Sequence, residues 1–246
     1  MTTFVLVHGA WGGSYGWTDF ARLMRSAGHE VYTPSLTGQG ERSHLGGPDV
    51  NLTTHILDVE NCIKYEDLHD FVLVGHSYGG MVVTGVADRV PELITDLIYI
   101  DAFLPKDGES CFDLGGAGGA QQAVVEDGWK VMPMARRTGI PETPGTPEME
   151  ARRAKMSPQP IGTLLEKVRL SVPLEEHRFS LTYIKAAGDL PGDANRTGAF
   201  WDASERTKND PRWRYFELPC GHGVHSEMPN ELKAILEEVT SRQPVR

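Results

Sequence analysis

The hexapeptide Gly75-His76-Ser77-Tyr78-Gly79-Gly80 constrains this chain more than any other segment. It follows the apolar run Phe71–Val74, which reads as a strand buried on both faces, and it opens a helical pattern running to Arg89. A serine on so tight a strand-to-helix turn is forced into strained backbone geometry. Bulky neighbours at 75 and 79 would strike the adjoining strand and helix, and glycine removes that clash. The helix start turns free N–H groups and a positive dipole end toward the serine oxygen. The pattern G-x-S-x-G in this context predicts that Ser77 is a nucleophile.

The rest of the chain repeats strand, glycine-rich loop and helix. Strands are expected at Phe4–Val7, Val31–Tyr32, Leu97–Ile100, Leu181–Ala186 and Arg214–Leu218. Helices are expected at Ser14–Ala27, Thr53–Glu66, Asn195–Thr207 and Pro229–Thr240. Such alternation predicts an α/β fold with a doubly wound, mostly parallel sheet. Residues 105–175 interrupt it with glycine, proline and charge, and they carry no strand pattern. Short helices are expected there at Gln121–Val131, Pro147–Lys155 and Gly162–Arg169. The organisation expected is a core of residues 1–104 and 176–246, with 105–175 inserted as a mainly helical cap whose Trp129, Met132 and Met134 need burial.

A serine hydroxyl needs a base. Of nine histidines, His222 lies in Pro219-Cys220-Gly221-His222-Gly223 after the last expected strand, where flanking glycines let the imidazole project. His225 is its rival. His8 and His76 flank the serine and are expected to be satisfied polar groups beside the pocket. Asp189, in the loop after Leu181–Ala186, gives the order Ser…Asp…His and is the expected partner of the histidine; Asp193 and Asp101 are alternatives. The N–H groups of Tyr78 and Ala10 are the expected oxyanion donors, with Trp11 as near alternative to Ala10. Trp11 is also expected in the substrate pocket, and Trp17 in the core.

Other classes fit poorly. With Lys plus Arg at 24 against Asp plus Glu at 34, the net charge of -10 repels nucleic acid and anionic bilayers. No stretch approaches the roughly 20 apolar residues of a membrane span. Three scattered cysteines give neither a disulfide framework nor a zinc site, and their odd number fits the cytoplasm. No phosphate-cradle motif is present, and neither a metal nor another cofactor is expected. Oligomeric state is not set by the sequence, a homodimer being admissible.

Several segments together resemble the α/β-hydrolases: the opening Phe4-Val5-Leu6-Val7-His8-Gly9-Ala10-Trp11-Gly12-Gly13, the Ser77 hexapeptide, Ile100-Asp101-Ala102-Phe103-Leu104-Pro105 and the late Gly221-His222. The likeness is greatest to plant methylesterases, plant hydroxynitrile lyases and small bacterial esterases, some of which cleave carbamate pesticides such as carbendazim. It implies Ser77, Asp189 and His222 as nucleophile, acid and base, with a small, neutral, apolar or aromatic ester and water as reactants. Met228-Pro229-Asn230-Glu231-Leu232 matches the run after the family's histidine. The lyases look for a threonine and a lysine where this chain has Ala10 and Gly223, which argues against cyanohydrin cleavage. A lyase-like reaction and a small-molecule receptor are the alternatives to hydrolysis.

Overall fold

The computed structural model describes residues 1–115, 125–133, 147–188 and 198–241. Its strands are β1 (Thr3–Val7), β2 (Glu30–Tyr32), β3 (Phe71–His76), β4 (Ile94–Ile100), β5 (Val125–Glu126), β6 (Lys130–Val131), β7 (Gln159–Pro160), β8 (Ser180–Ala186) and β9 (Trp213–Leu218). Six of them form one wholly parallel sheet in the order β2-β1-β3-β4-β8-β9.

Alternation along each strand feeds two cores. Val5, Val7, Leu73, Leu97 and Tyr99 face one side, packed by Ile56 and Val59 of helix α1 (Leu52–Tyr65) and by Val83 and Val86 of helix α2 (Gly79–Arg89). Phe4, Leu6, Val72, Val74 and Ile98 face the other, against Trp17, Phe20, Met24 and, from the last helix Pro229–Ser241, Leu232 and Leu236. β3 is buried at all six positions, as a central strand covered on both faces must be. Asn51 starts α1: its side chain accepts from the Thr54 N–H while the Thr54 hydroxyl accepts from the Asn51 N–H. Trp17 is core, as the spacing of apolar residues suggests.

Chain order reverses between β1 and β3, since β2 lies to one side of β1 and every later strand to the other. That reversal opens a crevice at the carboxyl ends of β1 and β3. Residues 101–179 leave the sheet after β4 and return to pair beside it as β8. Within them helices form at Pro147–Arg153 and Gly162–Leu165. The expected helix at Gln121–Val131 does not form over its described part. Val125–Val131 is instead a hairpin, to which β7 adds a third antiparallel strand. Asp127 (φ 51°) and Gly128 (φ 76°) both take left-handed backbone, and the Trp129 N–H closes the turn on the Glu126 carbonyl at 3.2 Å. An Asp-Gly pair with positive φ at both central positions suits a twisted hairpin. Over its described residues, this stretch is therefore less helical than expected.

Candidate active site

Three residues outside glycine hold left-handed backbone at the carboxyl ends of neighbouring strands: Trp11 after β1 (φ 61°), Ser77 after β3 (φ 56°) and Asp101 after β4 (φ 41°). Each such residue costs of order 1–3 kcal/mol, so the surrounding structure must hold it there. At Ser77 the N–H donates to the Ile100 carbonyl at 3.3 Å, and the Ser77 carbonyl accepts from the N–H groups of Gly80 and Phe103, each at 3.1 Å. The two glycines of the turn act as the sequence implies. A Cβ on Gly75 would stand 2.7 Å from Val83 Cγ2, and one on Gly79 would stand 2.6 Å from the Val7 carbonyl oxygen.

Ser77 and His222 line one cavity of about 400 Å³, together with Ala10, Trp11, His76 and Met156. His222 projects from the loop after β9. Its Nδ1 lies 2.6 Å from Oδ2 of Asp101, whose side chain is only 4% exposed. A carboxylate accepts, so Nδ1 carries the proton and Nε2 is left as the basic nitrogen. The Phe200 ring lies parallel to the imidazole, with centroids 5.1 Å apart and planes 9° apart. His76 donates from Nε2 to the His222 carbonyl at 2.8 Å and fixes the backbone of the same loop.

Asp101 is held from its other side. Oδ1 accepts from Lys185 Nζ at 2.7 Å, and the Asp101 N–H donates to the Ile184 carbonyl at 2.8 Å. Lys185 is itself buried, bonding the Ala186 carbonyl at 2.6 Å with its ammonium 4.2 Å from the Trp201 ring centroid. Burial pushes the Asp101 carboxyl up, but its hydrogen bond to His222, together with the charges of His222 and Lys185, outweighs burial and holds it below the usual carboxylate range.

Asp101, the candidate carboxylate among the described residues, meets His222; Asp189 and Asp193 lie outside the described residues. His225 packs on Trp17 with centroids 4.3 Å apart. Tyr78 turns its phenol away from the cavity, donating to His55 Nδ1 at 3.0 Å, because His55 Nε2–H is committed to the Thr37 carbonyl at 2.8 Å. Its backbone N–H remains beside Ser77. His8 donates from Nδ1 to the Gly9 carbonyl at 2.8 Å and accepts the Leu36 N–H on Nε2 at 3.1 Å, so it is a satisfied polar group. Burial pushes the Cys220 thiol up to about 11. Among the described residues, no group of three or more His, Cys, Asp or Glu side chains is placed to hold a metal ion. No helix among them is long and apolar enough to cross a membrane.

Sequence reasoning missed Lys185, Phe200 and Gln159. Lys185 was the most findable, since a lone cation inside an apolar strand must find a buried anion.

Burial lowers three histidines below their ordinary 6.5: His8 to about 4, His55 to about 3, and His76 well below. All three are neutral in the fold, so the unfolded chain binds protons first as pH falls. Stability is therefore full above pH 6.5 and declines below it, until the folded histidines themselves titrate. Each contributes a slope of up to about 1.4 kcal/mol per pH unit between pH 6 and 4. Urea unfolding at pH 7.5, 6 and 5 checks this, and an unchanged midpoint would contradict it.

A parallel sheet with a strained serine at a strand–helix turn, a histidine after the last strand and a buried carboxylate behind it defines the class of α/β-hydrolases. The chain belongs to the alpha/beta hydrolase family, whose model matches residues 4–235. It is 38% identical over 254 residues to a carbendazim hydrolyzing esterase of Nocardioides sp. (strain SG-4G), covering 94% of this chain and 97% of that protein. It is 30% identical over 113 residues to methylesterase 2 of Arabidopsis thaliana, covering 42% of this chain and 40% of that one. Among solved structures, an extracellular α/β-hydrolase from a Paenibacillus species superposes with a TM-score of 0.80 at 26% identity, covering 97% of this chain and 98% of the other. That protein is described as sharing structural and functional homology with tobacco salicylic acid binding protein 2.

Proposed function

We propose that this chain is a cofactor-independent serine esterase in which Ser77 is the nucleophile, His222 the base and Asp101 the acid. The observation that carries the reading is the 2.6 Å contact between His222 Nδ1 and the buried Asp101 carboxylate, with His222 and Ser77 on one cavity wall. In the first half-reaction Nε2 of His222 takes the Ser77 proton as Oγ bonds to the ester carbonyl carbon. The carbonyl electron pair moves onto oxygen, held by the N–H groups of Tyr78 and Ala10. The pair returns, the carbon–oxygen bond to the alcohol breaks, and His222 Nε2–H protonates the departing alkoxide. Water then repeats the sequence on the acyl-enzyme, freeing the acid and Ser77.

The substrate class is a small neutral ester with an apolar or aromatic portion, suited to a cavity bordered by Trp11, Trp17 and Met156. An aryl methyl carbamate presents the same carbonyl to Ser77, and the full-length likeness to a carbendazim hydrolyzing esterase favours it. Residues 105–175 act as the cap: Met156 reaches the cavity wall, and Val131 accepts a hydrogen bond from Trp11 Nε1 at 2.9 Å.

A fluorophosphonate probe tests the reading directly. It is expected to add to Ser77 in stoichiometric amount, located by peptide mass, and to react far more slowly with a His222→Ala protein. Labelling at another residue, or none, would overturn the proposal.

A further inference from the structure

Trp11 sits beside the expected oxyanion donor Ala10, and the insertion grips it at three backbone and side-chain atoms. Its N–H donates to Oε1 of Gln159 at 3.2 Å, its indole Nε1–H to the Val131 carbonyl at 2.9 Å, and its carbonyl accepts from the Ser157 N–H at 3.1 Å. The other end of the Gln159 amide donates to the Thr163 hydroxyl at 2.7 Å, which in turn donates to the Pro160 carbonyl at 2.6 Å. Reversing the Gln159 amide would set N–H against N–H at Trp11, so one orientation alone satisfies both contacts. Gln159 and Thr163 are completely buried. One buried chain of hydrogen bonds thus runs from the Ala10–Trp11 peptide through Gln159 and Thr163 to the Pro160 carbonyl, tying the residue beside Ala10 to the insertion.

We infer that Gln159 is a positioning residue for the oxyanion site, an assignment that rests on the esterase reading above. Its carbonyl fixes the plane of the Ala10–Trp11 peptide and keeps Trp11 in left-handed backbone. It also consumes the Trp11 N–H, so that Ala10 and not Trp11 supplies the donor to the reacting carbonyl. The insertion in this way sets the geometry of transition-state stabilisation, in addition to walling the cavity. Without Gln159, Trp11 loses one of its three tethers and shifts toward negative φ, which rotates the peptide beside Ala10 and displaces its N–H. Such a donor is useful only within about 2.7–3.1 Å of the oxyanion, so a small rotation suffices to weaken it.

The test compares Gln159→Met, which keeps length and apolar bulk, with Thr163→Val, which removes only the hydroxyl that anchors the amide. With p-nitrophenyl acetate, Gln159→Met is expected to lose about 10–100-fold in kcat with KM within about twofold, below the 10²–10³ cost of deleting a donor outright. Thr163→Val is expected to fall less, in the same direction. Benzyl trifluoromethyl ketone, which forms an oxyanion on Ser77, should lose affinity by about the same factor as kcat. N-benzylacetamide, which forms none, should bind unchanged. The pH at half-maximal rate should not move, because the His222–Asp101 pair is untouched. A raised KM with normal kcat, or equal losses for ketone and amide, would mean that Gln159 merely packs the insertion, and normal kinetics in both variants would equally overturn the inference. If Gln159→Met does not fold, Thr163→Val decides alone by the same kcat and ketone criteria. Failure of the esterase reading is distinguishable, since it would show as turnover that survives loss of Ser77.

Discussion

Ser77→Ala is expected to lower kcat for p-nitrophenyl acetate by about 10⁶, the scale found when a nucleophile of this kind is deleted from an intact site. In the proposed mechanism that hydroxyl bonds to the substrate, and the thiol of Cys220, two residues before His222, is no ready substitute. Cys220 is buried with its thiol raised to about 11, so little thiolate exists at neutral pH. The fold should survive the change. The contacts that hold residue 77 are made by its backbone: the N–H to Ile100, and the carbonyl to Gly80 and Phe103. Alanine keeps all three, and it tolerates φ 56° no worse than serine by steric criteria. The urea midpoint should therefore move little while turnover disappears. Near-normal turnover in a folded protein would remove the serine mechanism altogether.

Asp101→Asn is expected to lower kcat by about 10⁴, because an amide at that position stabilises the wrong imidazole tautomer and leaves no anion facing the imidazolium. It should also destabilise the protein. Lys185 is 3% exposed and relies on the Asp101 carboxylate at 2.7 Å, so an asparagine leaves a buried ammonium without its counter-ion. Breaking a buried pair from one side costs about 3–5 kcal/mol. The two consequences separate in a double variant: adding Lys185→Met should restore much of the stability and none of the rate. Asp189→Asn is the companion experiment, expected to leave kcat within about twofold. A large loss there, with Asp101→Asn near normal, would return the acid role to Asp189.

That pair of carboxylates marks where the sequence ceased to be legible. The serine turn, the mostly parallel sheet implied by strand–helix alternation and the histidine after β9 all follow from local signals: apolar runs, flanking glycines and a serine that needs room. Choosing a carboxylate does not, because Asp101, Asp189 and Asp193 all follow strands, and the case for Asp101 rests on lateral pairing that sequence spacing does not show. β8 lies beside β4 and delivers Lys185 to one carboxylate oxygen, while the loop after β9 delivers His222 to the other. The hairpin at Val125–Val131 escaped for another reason: each strand is two residues long, too short for alternation to register, and the Asp127-Gly128 turn was its one local mark. Gln159 was invisible since a glutamine among prolines reads as exposed linker, and only the fold sets it under Trp11. Tyr78 shows both cases. Its backbone N–H was legible as a donor from the serine turn alone, whereas the partner of its hydroxyl, His55, was not.

Trp11, Ser77 and Asp101 store conformational strain at three adjacent points of one crevice. A selection for heat resistance would find a gain wherever glycine relieves the torsion at small cost elsewhere, as at Ser77, whose contacts are made by its backbone; at Asp101 the same change strands Lys185, and at Trp11 it removes a side chain packed on the core. Each such gain would be bought with catalytic rate, so thermostable variants of this enzyme should be sought in the helices and the sheet periphery, leaving the rim of the crevice as it stands.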